Sequence, residues 1–359
     1  MHVNSLTSFF EMCTVCKRFR RILWHPVMLM WFTVRLREPS KLVHLEFLGS
    51  RIRSIQFTYA SNESFEGMLL PPTLTSLNLR FCRLGSRGLA RALRGLNRLT
   101  DVNVDGCFNL ENVSALMHLP LKTLTLGSGH RDHFWDADKV LPTLPYLRTL
   151  NLNSLGLCTD IFDRAGTESP CVAAMARLHN LHTLILDGTD LHDREFAKLE
   201  PLSATLRTLC VSDTEITDQS AGVLSRFTML EYLSVESCKL SKPSLYAIAG
   251  LVNLRALYAC NCPRMVRDAS FSAISALGQL ETLDISFNPV RRFEPLYALR
   301  YLRSLDVTEC NRSCSDGSAV SEDECDIEEV ARRALCDRLP GLVIRYVDRH
   351  ADVRALSIP

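Results

Sequence analysis

Apolar side chains occupy the first, fourth and sixth positions of a short motif that recurs eleven times, opening at Ile52, Leu74, Leu99, Leu121, Leu147, Leu181, Leu206, Leu230, Leu254, Leu280 and Leu302. Successive openings lie 22 to 34 residues apart. Internal repetition at that period builds stacked architectures in which each unit buries its apolar face against the next. Two copies show the motif cleanly: Leu74, Leu77, Leu79, Cys82, Leu84, and Leu181, Leu184, Leu186, Thr189, Leu191. The alternation at positions 4 and 6 is the period-2 sign of a short strand with one buried face. It predicts parallel strands over residues 124–126, 184–186, 209–211, 233–235 and 283–285, stacked as one curved sheet. Between strands, segments such as 88–96 and 270–277 space their apolar residues by three and four, so helical turns can dock behind the sheet.

This register resembles the leucine-rich repeat family over roughly residues 42–350. The resemblance implies an α/β leucine-rich-repeat solenoid, with a parallel sheet on the concave face and helices and turns on the convex face. It also implies a role for the ninth position, which is Cys at Cys82, Cys107, Cys238, Cys262 and Cys310, Thr at Thr189 and Thr214, and Asn at Asn288. In such repeats a small polar side chain at that place satisfies backbone groups inside the turn between coils. The cysteines and the repeat lengths of 24–26 resemble the cysteine-containing subclass, while the 22-residue copies depart toward a shorter class.

The chain has 359 residues, 47% of them hydrophobic and 23% charged, with a net charge of +1. Near-zero net charge gives no reason to propose nucleic acid, which normally takes a clustered basic face, so no nucleic-acid partner is expected. No apolar run approaches 18 residues, so no membrane span is expected either. Five of the fourteen cysteines share one interior position, where neighbouring copies stack as buried thiols. Together with an N-terminus that does not read as a signal peptide, this points to a reducing, cytoplasmic or nuclear setting and against secretion. Cys13 and Cys16 form a C-x-x-C pair with no second pair at zinc-binding distance.

The first 41 residues read as a helical head or cap. Leu6, Phe9, Met12, Val15, Cys16, Phe19 and Leu23 make an apolar stripe at helical spacing, and Pro26 stops that helix. Val15 to Arg20, then His25-Pro26 and Trp31, resemble the second half of an F-box; the Leu-Pro opening and first helix of that family have no counterpart ahead of them. The resemblance implies docking onto the Skp-type adaptor of a cullin-RING ubiquitin ligase, with Leu6, Phe9, Val15 and Trp31 as adaptor-binding residues. At the other end, an acidic loop over 311–329 leads into a C-terminal cap over 327–350, read as a helix over 327–339 and a last strand over 342–347. Ser321, followed by acidic residues, suits an acidophilic kinase.

Chemistry is sparse. The phosphate-loop, nucleophile-elbow and zinc-protease motifs are missing, and His118, His179, His182 and His192 fall in different turns, so no enzyme, metal or cofactor is expected. The segment 129–138 gathers two histidines, three carboxylates and Trp135, and reads as a loop with an aromatic anchor. What remains is the strand face. Positions 3, 5 and 7 point away from the core: Asn78, Arg80, Asn103, Asp105, Asn151 and Asn153 early in the chain, then Asp187, Ser212, Tyr232, Glu236, Tyr258, Asp284 and Asp306. The later set drifts acidic, which suits a basic protein partner. Two readings follow: a substrate-recognition subunit of a cullin-RING ligase, monomeric within its complex, or a repeat scaffold or regulator with no ligase role.

Overall fold

The structure, a computed structural model, describes residues 33–36, 52–67, 69–127, 136–154, 169–310, 329–348 and 351–356. The head residues Leu6, Phe9, Val15 and Trp31, most of segment 129–138 and Ser321 lie outside them. The chain divides into two compact units, Met1–Leu181 and His182–Pro359.

In the first unit, six strands pair in sequence order and all in parallel: β1 (Thr33–Leu36), β2 (Ser54–Phe57), β3 (Ser76–Asn78), β4 (Asp101–Asn103), β5 (Thr123–Thr125) and β6 (Thr149–Asn151). In the second, β7 (Thr183–Ile185), β8 (Thr208–Cys210), β9 (Tyr232–Ser234), β10 (Ala256–Tyr258), β11 (Thr282–Asp284), β12 (Ser304–Asp306) and β13 (Val343–Asp348) continue the same scheme. A further strand, β14 (Ala351–Leu356), pairs antiparallel with β13 beyond the last strand that the sequence predicts. The strands begin one residue earlier than the apolar pattern suggests. The ladder already starts at position 3, where the N–H of Ser76, Thr123 or Thr149 donates to a carbonyl of the preceding coil at 2.9 Å.

Position 4 of each strand is the keystone of its coil. Leu77, Leu124, Leu150, Leu184, Leu209, Leu233, Leu257, Leu283 and Leu305 are all buried. Each contributes about 1.5–3 kcal/mol by leaving water. Behind them the helices are short. The segment predicted over 88–96 is helical at Ser86–Ala92, and that predicted over 270–277 splits into an α-turn at Asp268–Phe271 and a 3-10 stretch at Ser272–Ala276. Helices of this length are unstable alone and persist here by burying Leu89, Ala92, Phe271 and Ile274 against the strands. At the end of the second unit, helix Glu329–Arg338 buries Leu335 and leaves Ala334 half-buried.

The ninth position works as the repeat register implies. The thiols of Cys82, Cys107, Cys238, Cys262 and Cys310 are buried, and each donates to the position-6 carbonyl of the coil before: Phe57, Leu79, Val211, Val235 and Ile285. Thr189 and Thr214 donate instead to position 6 of their own coil, at 2.6 and 2.7 Å. Asn288 does both, its Nδ2 reaching the carbonyls of Ala259 and Ile285 at 2.8 Å. Burial pushes the thiols of Cys107, Cys262 and Cys310 up to about 12, so they remain protonated donors.

The eighth position shows a regularity that no side-chain pattern announces. In every repeat whose eighth residue is described, the backbone is left-handed: Tyr59, Phe81, Gly106, Ser154, Gly188, Asp213, Ser237, Asn261, Phe287 and Glu309. That conformation turns the chain out of the strand and costs an L residue about 1–2 kcal/mol. Gly106 is needed for a second reason, since a Cβ there would stand 2.2 Å from the Phe81 ring.

Candidate functional site

All thirteen strand-face residues singled out from the sequence lie among the described residues, but the two units treat them differently. In the first unit the polar side chains fold back onto the protein. The Oδ1 atoms of Asn78, Asn103 and Asn151 each accept the backbone N–H two residues on, from Arg80, Asp105 and Asn153, at 2.9, 2.9 and 3.0 Å. These are Asx turns that close the strand's end. The Arg80 Nε donates to Asp105 at 2.6 Å, and Asp105 is only 5% exposed. Asn153 packs over Gly127, where a Cβ would meet its Oδ1 at 1.7 Å. Asp105 is therefore an internal counter-ion for Arg80, and the polar groups this face still exposes are chiefly Arg80 and the half-buried asparagines.

In the second unit the fifth position is Ile185, Cys210, Ser234 and Tyr258 before it returns to Asp284 and Asp306. Those two aspartates repeat the turn of the first unit, accepting the N–H of Ser286 and Thr308 at 2.9 and 3.0 Å. At the ends of β8 and β9, where the Asx residue is missing, the preceding coil supplies the acceptor. Asp187 Oδ1 takes the N–H of Ser212 at 2.8 Å, and the Ser212 hydroxyl takes that of Glu236 at 3.2 Å. The hydroxyls of Ser212 and Ser234 share a hydrogen bond of 2.7 Å, and Ser234 also donates to Glu236 Oε1. Tyr232 and Tyr258, in adjacent strands, stack with ring centroids 5.0 Å apart and planes 30° apart.

Negative charge accumulates on this face. None of Asp187, Asp213, Glu236, Asp284 and Asp306 is in an ion pair among the described residues. Five cations of this unit pair with other carboxylates: Arg207 with Glu231, Arg255 with Glu281, Arg226 with Glu200, Lys239 with Glu215 and Lys198 with Glu195. In register, Arg345 of β13 stands opposite Asp306 at one end of the row. Burial raises the Glu236 carboxyl, the Ser234 hydroxyl draws it down, and the charges of Asp284, Asp187 and Asp213 raise it further. Burial likewise raises Asp187 against the opposing donors of Ser212, and Asp213 adds to the rise. Burial pushes the Tyr232 phenol up, with Cys210, Tyr258 and Glu236 adding to it. The face is thus arranged to favour a positive charge arriving from outside.

Elsewhere, carboxylates do structural work and show the opposite trend. Asp193 accepts from Thr217 and Ser220, and Asp218 from Ser241 and Ser244, holding one coil's turn to the next. Burial pushes both carboxyls up, but these donors outweigh it and hold them below the usual range. Tyr59, Phe81 and Phe108 are exposed on the turns that follow the first unit's strands, and Phe81 carries the Arg80 guanidinium 4.6 Å above its ring. Among the described residues no helix is long and apolar enough to cross a membrane.

Comparison with known proteins agrees with the repeat register. Residues 71–90 match the family model described as Leucine Rich repeat. No curated protein matches the sequence. Among solved structures, the chain is similar to an internalin from Listeria monocytogenes, with 16% identity over 71% of this chain and 80% of that one and a TM-score of 0.44. It is also similar to internalin C2 from the same organism, with 22% identity over 60% of this chain and 91% of that one and a TM-score of 0.39. With its parallel strands stacked coil on coil and its interior ladder of thiols, threonines and one asparagine, the fold is that of a leucine-rich-repeat solenoid.

Proposed function

We propose that the chain is a protein-binding module whose second unit holds a basic, extended segment of a partner against the outer face of strands β7–β12. The unneutralised row of Asp187, Glu236, Asp284 and Asp306 carries this reading. Carboxylates held close together and partly desolvated are costly to the folded protein alone, and that cost is recovered when cations dock. Tyr232 and Tyr258 supply the large, rigid contact area that anchors an interface. Fluorescence anisotropy of a labelled arginine- and lysine-containing peptide tests it. Binding should weaken by about a hundredfold when Asp187, Glu236 and Asp284 are reversed to Lys, and should fall as salt rises. Binding that ignores the triple reversal overturns the assignment.

We propose further that this binding serves a cullin-RING ubiquitin ligase. The support is the F-box-like string Val15 to Arg20 with His25-Pro26 and Trp31; with the apolar stripe ahead of it, Leu6, Phe9, Val15 and Trp31 contact a Skp-type adaptor. The solenoid then acts by proximity, raising the effective concentration of target lysines near the conjugating enzyme. Purified adaptor should be retained by the full chain and lost when residues 1–31 are deleted, while peptide binding to the second unit persists. Failure of the full chain to retain adaptor leaves the plain scaffold reading. The interior thiols fit the cysteine-containing type of repeat, and this assignment is part of the same proposal.

A further inference from the structure

Resting on the basic-partner reading, the geometry of the second unit narrows which cation it takes. We propose that this face selects arginine over lysine, laying a guanidinium flat on the Tyr232–Tyr258 pair with its N–H fork turned toward Glu236 and Asp284.

The register places the parts together. Tyr258 pairs with Asp284 in the next strand, and Tyr232 pairs with Ala256 in the strand that carries Tyr258. Tyr232 and Glu236 follow one another along the same outward face, four residues apart. Around the rings the neighbours are small: Cys210 and Ser234 are buried beneath, and Ala256 and Cys260 are half-buried alongside. The two half-buried rings stack on one another, 5.0 Å between centroids, so the pair presents an outer ring face as a platform. Glu236 is already oriented, with Oε1 held by the Ser234 hydroxyl at 3.2 Å, so an incoming donor meets a fixed acceptor.

A platform bordered by carboxylates discriminates between the two basic side chains on physical grounds. Guanidinium is planar, stacks on aromatic faces and is weakly hydrated, so it lies on a ring while its edge donors reach two acceptors. An ammonium is compact and strongly hydrated; it is attracted by the charge but gains little from the ring pair. The stretch from Asp187 to Asp306 attracts either cation, and the tyrosines decide between them.

Two fluorescein-labelled peptides of equal length and charge, one alternating glycine with arginine and one glycine with lysine, test this on the full chain by anisotropy. The arginine peptide should bind about tenfold more tightly than the lysine peptide. Tyr258→Leu and Tyr232→Leu should each weaken the arginine peptide far more than the lysine peptide and so remove most of that preference. Tyr258→Phe keeps the ring face and should keep the preference, and the melting temperature of each variant shows that it is folded. Equal binding of the two peptides overturns the arginine assignment and leaves the charge-based reading in place. If neither peptide binds, both fall. A preference that survives both leucine substitutions moves the selectivity away from the tyrosine pair and overturns the inference.

Discussion

The two units carry the same repeat, yet their strand faces answer one backbone requirement in different ways. At the end of each strand an N–H at position 7 needs an acceptor. In the first unit Asn78, Asn103 and Asn151 supply it from two residues back, and the carboxylate buried among its described residues, Asp105, is matched by Arg80. Through β8 and β9 the acceptor comes from the preceding coil, and position 5 becomes free for Cys210 and Ser234. The carboxylates of the row there are in no ion pair among the described residues. One face is finished by the protein itself; the other, under the proposed function, is neutralised by a partner. A shared fold therefore says little about binding, and the outward positions say much.

The largest expected effect shows that the difference does not reach the interior. Cys107→Lys in the first unit and Cys238→Lys in the second should each destabilise by about 4 kcal/mol or more, because both bury a charge between coils. Urea unfolding measures this, and a strong disparity between the two would locate the contrast in the core rather than on the face. Next in size, Arg80→Ala leaves Asp105 buried without its cation and should cost about 2 kcal/mol. Asn103→Ala, which removes a single turn acceptor, should cost about 1 kcal/mol.

On the second unit's face the sign reverses. Asp187→Asn combined with Glu236→Gln relieves repulsion and should stabilise the protein by about 0.5 kcal/mol, while weakening the basic peptide. The pH dependence follows the same division. Asp187 and Glu236 have raised folded-state values, so they take up protons before the unfolded chain does. Their cost is present at neutral pH and fades as pH falls through those raised values. Asp193 and Asp218 are lowered, so their contribution holds above the unfolded carboxylate range and is lost only as pH falls through their low folded values. Stability should therefore rise slightly on mild acidification and then drop, whereas peptide binding declines throughout. A melting temperature that falls steadily from neutrality would contradict the assignment of the raised pair.

The strands and the interior ladder were legible because they repeat. Leucines at positions 4 and 6 mark strands by period, and Cys82, Cys107, Cys238, Cys262 and Cys310 recur at one offset. The left-handed eighth position was not legible, because Tyr59, Phe81, Asp213 and Glu309 share a backbone state and no side-chain property. Gly106 and Gly188 were its faint signal. Helix length was also hidden, since three- and four-residue spacing describes an α-turn and a 3-10 turn alike, as at residues 268–276. For the face, alternation correctly directs Asn78 and Asn103 outward, but it does not show that their side chains fold back to accept their own backbone N–H groups. That distinction separates Asp105, consumed by Arg80, from Glu236, which is left without a cation.

The central claim, that the second unit keeps uncompensated charge for a cationic partner, is tested most directly by thermal unfolding of the wild type and the Asp187→Asn/Glu236→Gln variant, each with and without the arginine peptide. Without peptide the variant should melt one to two degrees higher, at about 0.5 kcal/mol of added stability. At saturating peptide the order should reverse, because the wild type is stabilised by ligand and the variant hardly at all. A variant that melts lower in the absence of peptide, or that gains as much from the peptide as the wild type does, would contradict it.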